Sequence, residues 1–175
     1  MTPKYEEPMF TPAEMLSATG LAERRIQMWV HRGFFPVAHP GRGVPREYSL
    51  AHLCFLAYLQ VANDAHIPLA EAAFSAAQLF PFSAILVPAK IRDIIRSWRR
   101  PDLAPRLFAI FHDGKDALLV TKKDLNDAWA PLHEGENWGI TIDVTNVVVK
   151  TMNAAEGILD RRPVRPTGAG ERLLP

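Results

Sequence analysis

Four prolines in the middle of the chain, Pro81, Pro88, Pro101 and Pro105, set the strongest limit on how it can fold. A proline inside a helix removes a backbone donor and clashes with the preceding turn, so a helix between these positions is limited to about a dozen residues. That is too short for a coiled coil of several heptads. The prolines also separate two kinds of pattern. Before them, apolar residues recur at helical spacing; after Pro105 the pattern is extended. The 175 residues suffice for one compact domain or two small ones. With 48% hydrophobic and 22% charged residues, the chain is neither mostly disordered nor collagen-like.

The helical half opens on Thr11-Pro12-Ala13-Glu14. Thr11 suits an N-cap, Pro12 the first turn, and Glu14 the third position of a capping box. A short helix is expected from Pro12 to Ser17, with Met15, Leu16 and Phe10 on its buried side. Thr19-Gly20 breaks it, because glycine enters the left-handed conformation that ends helices. A second helix, Ala22 to His31, places Leu21, Ile26, Trp29 and Val30 on its apolar face and Glu23, Arg24, Gln27, Met28 and His31 on the other. Gly33 ends it. Two short helices joined by a tight turn containing glycine form a helix-turn-helix. Phe34 to Ala38 and Arg46 to Tyr48 then flank a Gly- and Pro-rich stretch carrying Arg42, which reads as a β-hairpin, a wing. Ser49 caps a third helix, Leu50 to Ala65, whose buried stripe is bracketed by Leu53, Leu56, Ala57 and Leu59 to Gln60. Pro68 opens a fourth, Leu69 to Leu79, with Leu69, Ala72, Ala73, Ala76 and Leu79 inward.

Beyond residue 80 the pattern predicts a helix from Ala89 to Arg99 and strands at Leu107 to Phe111 and Ala117 to Thr121 around Asp113-Gly114. A short helix from Lys122 to Ala130, a third strand from Trp138 to Val144 and a last helix from Asn146 to Ile158 follow. The last helix has Val147, Val148, Met152, Ala155 and Leu159 on one side. The tail from Arg161 is rich in Pro, Gly and Arg and is expected to be disordered. The expected fold class is α+β. A winged helix-turn-helix spans residues 10–80, a helical connector 81–106, an α/β module for dimerisation or sensing 107–160, and the tail 161–175.

Residues 10–80 resemble the DNA-binding domain of MerR-type transcriptional regulators. The resemblance rests on the order and spacing of Phe10-Thr11-Pro12-Ala13-Glu14, the Thr19-Gly20 turn, Arg25-Ile26-Gln27-Met28-Trp29-Val30-His31-Arg32-Gly33-Phe34, the Gly/Arg-rich tip, Arg46-Glu47-Tyr48-Ser49 and the amphipathic helix after it. It covers somewhat less than half the chain. Trp29 stands where family members usually carry Tyr, and Gln27 where they usually carry Arg. The long coiled coil of family dimers and the cysteines of metal-sensing members have no counterpart here.

The resemblance implies a MerR-like winged helix-turn-helix that binds double-stranded DNA as a homodimer, with the second helix in a major groove. The DNA-contacting set it implies is Thr11, Arg24, Arg25, Gln27, Met28, His31, Arg32, Arg42, Arg46 and Tyr48. Arg24 or Arg25 suits guanine, Gln27 adenine, and Met28 a thymine methyl. Each has a plainer reading: Arg25 paired with a carboxylate, Met28 in the core, Tyr48 packed under the wing. Trp29 shares a stripe with Ile26 and is expected in the core. Arg42, between two glycines, can reach a phosphate or a minor groove.

Charge supports a polyanion partner. From Gly20 to Leu50, five arginines face two glutamates. From Lys90 to Arg106, six basic residues face two aspartates, whereas from Asp113 to Asp160 nine acids face four lysines. A polyanion is drawn to the first two segments and repelled by the third.

Enzymatic signals are weak. There is no Gly-rich phosphate loop, no His pair at metal spacing and no nucleophile setting. His112-Asp113 and His133-Glu134 are pairs of a kind that arises often by chance. The single cysteine, Cys54, excludes an internal disulfide and Cys-rich zinc sites and reads as a small core residue. No cofactor is expected. No apolar run reaches about 18 residues, the length of a membrane span. The opening MTPKYEEPMF is acidic where a signal peptide is basic, so no membrane partner and a cytoplasmic location are expected.

The C-terminal part has three candidate roles. Phe108, Ile110, Leu118, Val120, Ile140 and Ile142 could form a sheet that meets a second copy. Trp98, Trp129 and Trp138 could line the pocket of a small-molecule effector, or the acidic surface could dock a protein effector. Dimerisation is favoured, because two half-sites multiply the contacts of one short helix. The alternatives to a regulator are a DNA-architectural or excisionase-like factor, and a protein-interaction module whose helix-turn-helix is structural.

Overall fold

A computed structural model describes residues 10–37, 46–80, 97, 100, 106–112, 117–128 and 139–162. The wing tip with Arg42, nearly all of the expected helix from Ala89 to Arg99, Trp98, Trp129, Trp138 and the tail from residue 163 lie outside them.

Helix α1 (Pro12–Thr19) starts on the expected capping box. The Thr11 hydroxyl accepts the Glu14 N–H at 3.3 Å, and the Glu14 carboxylate accepts the Thr11 N–H at 2.8 Å. It ends at Gly20, left-handed at φ 67°, two residues later than expected. Helix α2 (Glu23–His31) ends in a full Schellman motif. Gly33, at φ 74°, donates to Val30 at 3.0 Å, and the Phe34 N–H reaches back to the Trp29 carbonyl at 2.9 Å. This reversal delivers Phe35 into the core, where it is 1% exposed.

Helix α3 (Leu50–Asp64) is the centre of the molecule. Ala51, Leu53 to Leu56, Tyr58, Leu59 and Ala62 are all buried. The single stripe expected from spacing is too narrow: Ala57 and Gln60 are only half-buried, while Cys54, Phe55 and Tyr58 are fully enclosed. A helix covered on several sides loses its amphipathic signature. The covering comes from α1, from α4 (Leu69–Leu79) and from the last helix, α5 (Val144–Leu159). Helix α4 is tied to α3 by a buried hydrogen bond of 2.9 Å between the Tyr58 and Ser75 hydroxyls.

Strands β1 (Leu107–His112), β2 (Ala117–Thr121) and β3 (Gly139–Asp143) form an antiparallel sheet in the order β2-β1-β3. The molecule is therefore a mixed α+β fold. Leu107, Ala109 and Phe111 alternate onto the face that joins the main core, together with Ile142. Ile110 and Val120 are buried too, whereas Leu118 is 56% exposed and Phe108 and Ile140 are half-buried. Between β2 and β3, residues 125–128 form one helical turn, which starts three residues after the expected Lys122 because 122–124 are a turn. β3 runs straight into α5, whose N-cap is Asp143, accepting the Asn146 N–H at 2.9 Å. The Leu107 N–H, in the first residue of β1, donates to the Thr145 hydroxyl at 2.7 Å.

Packing thus crosses the expected boundary at residues 81–106. The buried side chains from Phe10 to Ile158 form one cluster, and α5 lies against both α1 and α3. Arg162, just past α5, clamps Glu14 of α1 through two hydrogen bonds of 2.8 and 2.7 Å and lies 5.7 Å from the Phe10 ring centre.

Candidate nucleic-acid interface

Helix α2 is divided cleanly between core and solvent. Ile26 and Trp29 are 4% and 1% exposed, which anchors one side. Glu23, Arg24, Arg25, Gln27, Met28, His31 and Arg32 are all exposed. The helix thus presents one continuous polar face with a single apolar contact point, Met28, at 40% exposure. Six of the ten sequence-predicted contact residues share this face.

They are not equally available. The side chains of Arg24, His31 and Arg32 have no hydrogen-bond or ion-pair partner among the described residues. The Gln27 amide donates to Glu23 one turn earlier, at 2.9 Å. The Arg25 guanidinium donates to the Gln60 side-chain carbonyl at 2.7 Å, and the Gln60 amide in turn donates to Asp64 at 2.6 Å. This polar chain from α2 to the end of α3 fixes Arg25 at the edge of the face. The partner is an amide, where the plainer sequence reading had a carboxylate.

The remaining four residues lie elsewhere. Thr11 is exposed, but its hydroxyl is engaged in the α1 cap. Arg46 is half-buried. Arg42 lies outside the described residues. Tyr48 is 3% exposed and leaves the contact set. Of its two readings, packing is the one observed: its ring stacks on Phe35 at 6.4 Å and meets His52 edge-on at 5.9 Å.

The expected hairpin also differs at its base. Residues 34–37 and 46–47 form no strand; Tyr48 pairs instead with Phe10, with N–H···O bonds of 3.0 and 2.8 Å. The segment expected to carry the wing thus returns, at Tyr48, to the residue before Thr11, the cap of α1. Its two ends are held by an aromatic group of Phe35, Tyr48, His52 and Phe55.

His52 is a structural residue that sequence reasoning missed. It occupies the third position of the α3 capping box, where glutamate is usual. The Ser49 N–H donates to its Nδ1 at 3.0 Å, so that nitrogen carries no proton. Burial lowers its pKa from 6.5 to about 4, which keeps it neutral. The signal is present in Ser49-Leu50-Ala51-His52 once His is admitted as an acceptor.

Burial raises the Cys54 thiol to about 12, far from a reactive thiolate. Among the described residues, no three His, Cys, Asp or Glu side chains group as metal ligands, and no helix is long and apolar enough to cross a membrane. The α2 face has to be read from its own geometry and charge, since no protein-family model matches the chain and no curated protein matches it.

Proposed function

We propose that this protein is a sequence-specific, DNA-binding transcriptional regulator of MerR-like type, which inserts α2 into a major groove and binds as a homodimer. The observation that carries this reading is the solvent-open face of α2, with Arg24, Gln27, Met28, His31 and Arg32 exposed while Ile26 and Trp29 hold the helix from behind. A major groove, about 12 Å wide, admits one α-helix and displays a different donor and acceptor pattern for each base pair. Arg24 and Arg32 supply charge for phosphates or guanine, Gln27 an amide for adenine, and Met28 a methyl-sized apolar contact. Arg46 adds a backbone contact, and the resemblance to a winged helix-turn-helix assigns one to Arg42 as well. One nine-residue helix contributes few contacts, so two copies on a two-fold site supply the affinity.

Selection of bound fragments from random duplex DNA with the purified protein tests this. The expected product is a short, roughly palindromic consensus, bound with an affinity that falls steeply as salt rises. Failure to enrich any sequence, together with no binding to duplex at low salt, overturns the reading. A consensus without two-fold symmetry removes the homodimer and keeps the DNA.

A further inference from the structure

A cleft of about 470 Å³ opens between the end of α1, the second half of α3, β3 and the start of α5. The tryptophans expected to line a pocket lie outside the described residues. Its volume is in the range of small-molecule sites, which are mostly apolar with a few placed polar groups. Ala18, Ala57, Val61 and Val147 supply the apolar wall, and Gln60, Asn146, Thr141 and Lys150 the polar groups.

Among the described residues, two charged side chains line the cleft. Asp143 is already neutralised, by Arg106 at 3.0 Å, and accepts the Asn146 N–H. The Lys150 ammonium has no hydrogen-bond or ion-pair partner among the described residues, and neither does the side chain of Asn146. Val61 leaves 39% of its surface in solvent on the same rim. An apolar wall facing one uncompensated ammonium and a free amide is complementary to a molecule with a hydrophobic body and one negative group.

We infer that this cleft is a binding site for a small organic carboxylate, its apolar body against Ala57, Val61 and Val147 and its carboxylate on Lys150 and Asn146. Gln60 links the site to α2. Its side chain lines the cleft and at the same time accepts the Arg25 hydrogen bond. A carboxylate beside Gln60 takes its N–H in place of Asp64 and attracts the Arg25 guanidinium toward the cleft by its charge, so occupancy weakens DNA binding. This second step rests on the DNA-binding reading above; the binding itself does not.

Naphthoate and its uncharged amide, naphthamide, are suitable probes, followed by amide chemical-shift mapping on the full chain. Naphthoate is expected to shift Ala57, Val61, Asn146 and Lys150 in a saturable way, and naphthamide to bind about tenfold more weakly, the equivalent of one charge-assisted contact. Lys150→Met should bring naphthoate down to the naphthamide level. Val61→Trp, which fills the rim, should abolish both while thermal melting shows the fold intact. No saturable shift at these residues at millimolar probe overturns the inference. So does a carboxylate preference that survives Lys150→Met. In DNA-shift assays, saturating naphthoate should weaken binding of the wild type but not of Gln60→Ala, and no difference between the two removes the link. A protein that binds naphthoate but no DNA overturns the regulator alone; one that binds DNA but no naphthoate overturns the cleft alone.

Discussion

A neutral histidine in a capping box gives the protein an acid-sensitive point at a single residue. His52 titrates near 6.5 when unfolded and about 4 when folded. Between those values the unfolded chain binds the extra proton and the folded one does not, so stability falls as pH drops through that window, by at most about 3 kcal/mol. Protonation would also turn Nδ1 from acceptor to donor and break the Ser49 bond. Glu14 acts lower down. Its hydrogen bond to Arg162 holds the carboxyl at about 2, so its contribution is complete above pH 4.5 and is lost progressively between 4.5 and about 2. His52→Gln keeps a side-chain acceptor without a titrating ring. Its melting temperature should stay level from pH 6.5 to about 4.5, where that of the wild type declines; parallel declines would show that the acid sensitivity lies elsewhere. On the α2 face, Gln27→Ala should change preference among DNA sequences at little cost in total affinity. Arg42→Ala should weaken all sequences alike and reduce the salt slope by about one phosphate's worth. Quantitative shift titrations at several salt concentrations separate the two.

The elements themselves were legible wherever their causes are local. Thr11 with Glu14, Gly20, Gly33 and Ser49 mark the ends of α1, α2 and α3 because a cap is decided within four or five residues. The exposed face of α2 was legible for the same reason: Ile26 and Trp29 lie on one stripe and the charged residues on the other. The wing base was not, because its backbone pairing joins Phe10 to Tyr48, far apart in sequence, and no alternation in residues 34–38 reveals that partner. The burial of α3 was only half legible. Cys54 was read as core, but Tyr58 is covered by α4, which arrives later in the chain, and local periodicity carries no record of it. The cleft was invisible, since four elements contribute to its lining. Gly33 offers the sharpest test at this scale. An added Cβ meets nothing within 4 Å, so Gly33→Ala acts only through the left-handed backbone, at a cost of about 1 to 2 kcal/mol. Gly33→Asn should cost less, because asparagine tolerates that conformation. Equal melting temperatures for the two variants would mean that the Schellman turn is not what sets the end of α2.

For the whole molecule, the question is whether the residues that resemble a DNA-binding domain can stand without the rest. Helices α1 and α3 have α5 as a packing partner, and α5 buries Val144, Val147, Val148, Met152, Ala155 and Ile158 in the shared core. Arg162 fastens the far end of that arrangement to Glu14 and covers Phe10, the same residue that pairs with Tyr48. A chain of about 70 residues buries a smaller share of its surface than a larger one and is marginal even with its core intact. Removing α5 opens that core along its length, and emptying the space of one large apolar side chain already costs about 2 to 5 kcal/mol. A fragment ending at residue 80 should therefore show helical signal without a cooperative thermal transition, and should bind DNA far more weakly than the full chain. Adding back residues 81–162 should restore both together. A fragment that melts as sharply as the full chain would mean that α5 packs on a self-sufficient domain. The orientation of α2 would then owe nothing to the C-terminal half, and a ligand in the cleft beside α5 would have to act on Arg25 through Gln60 alone.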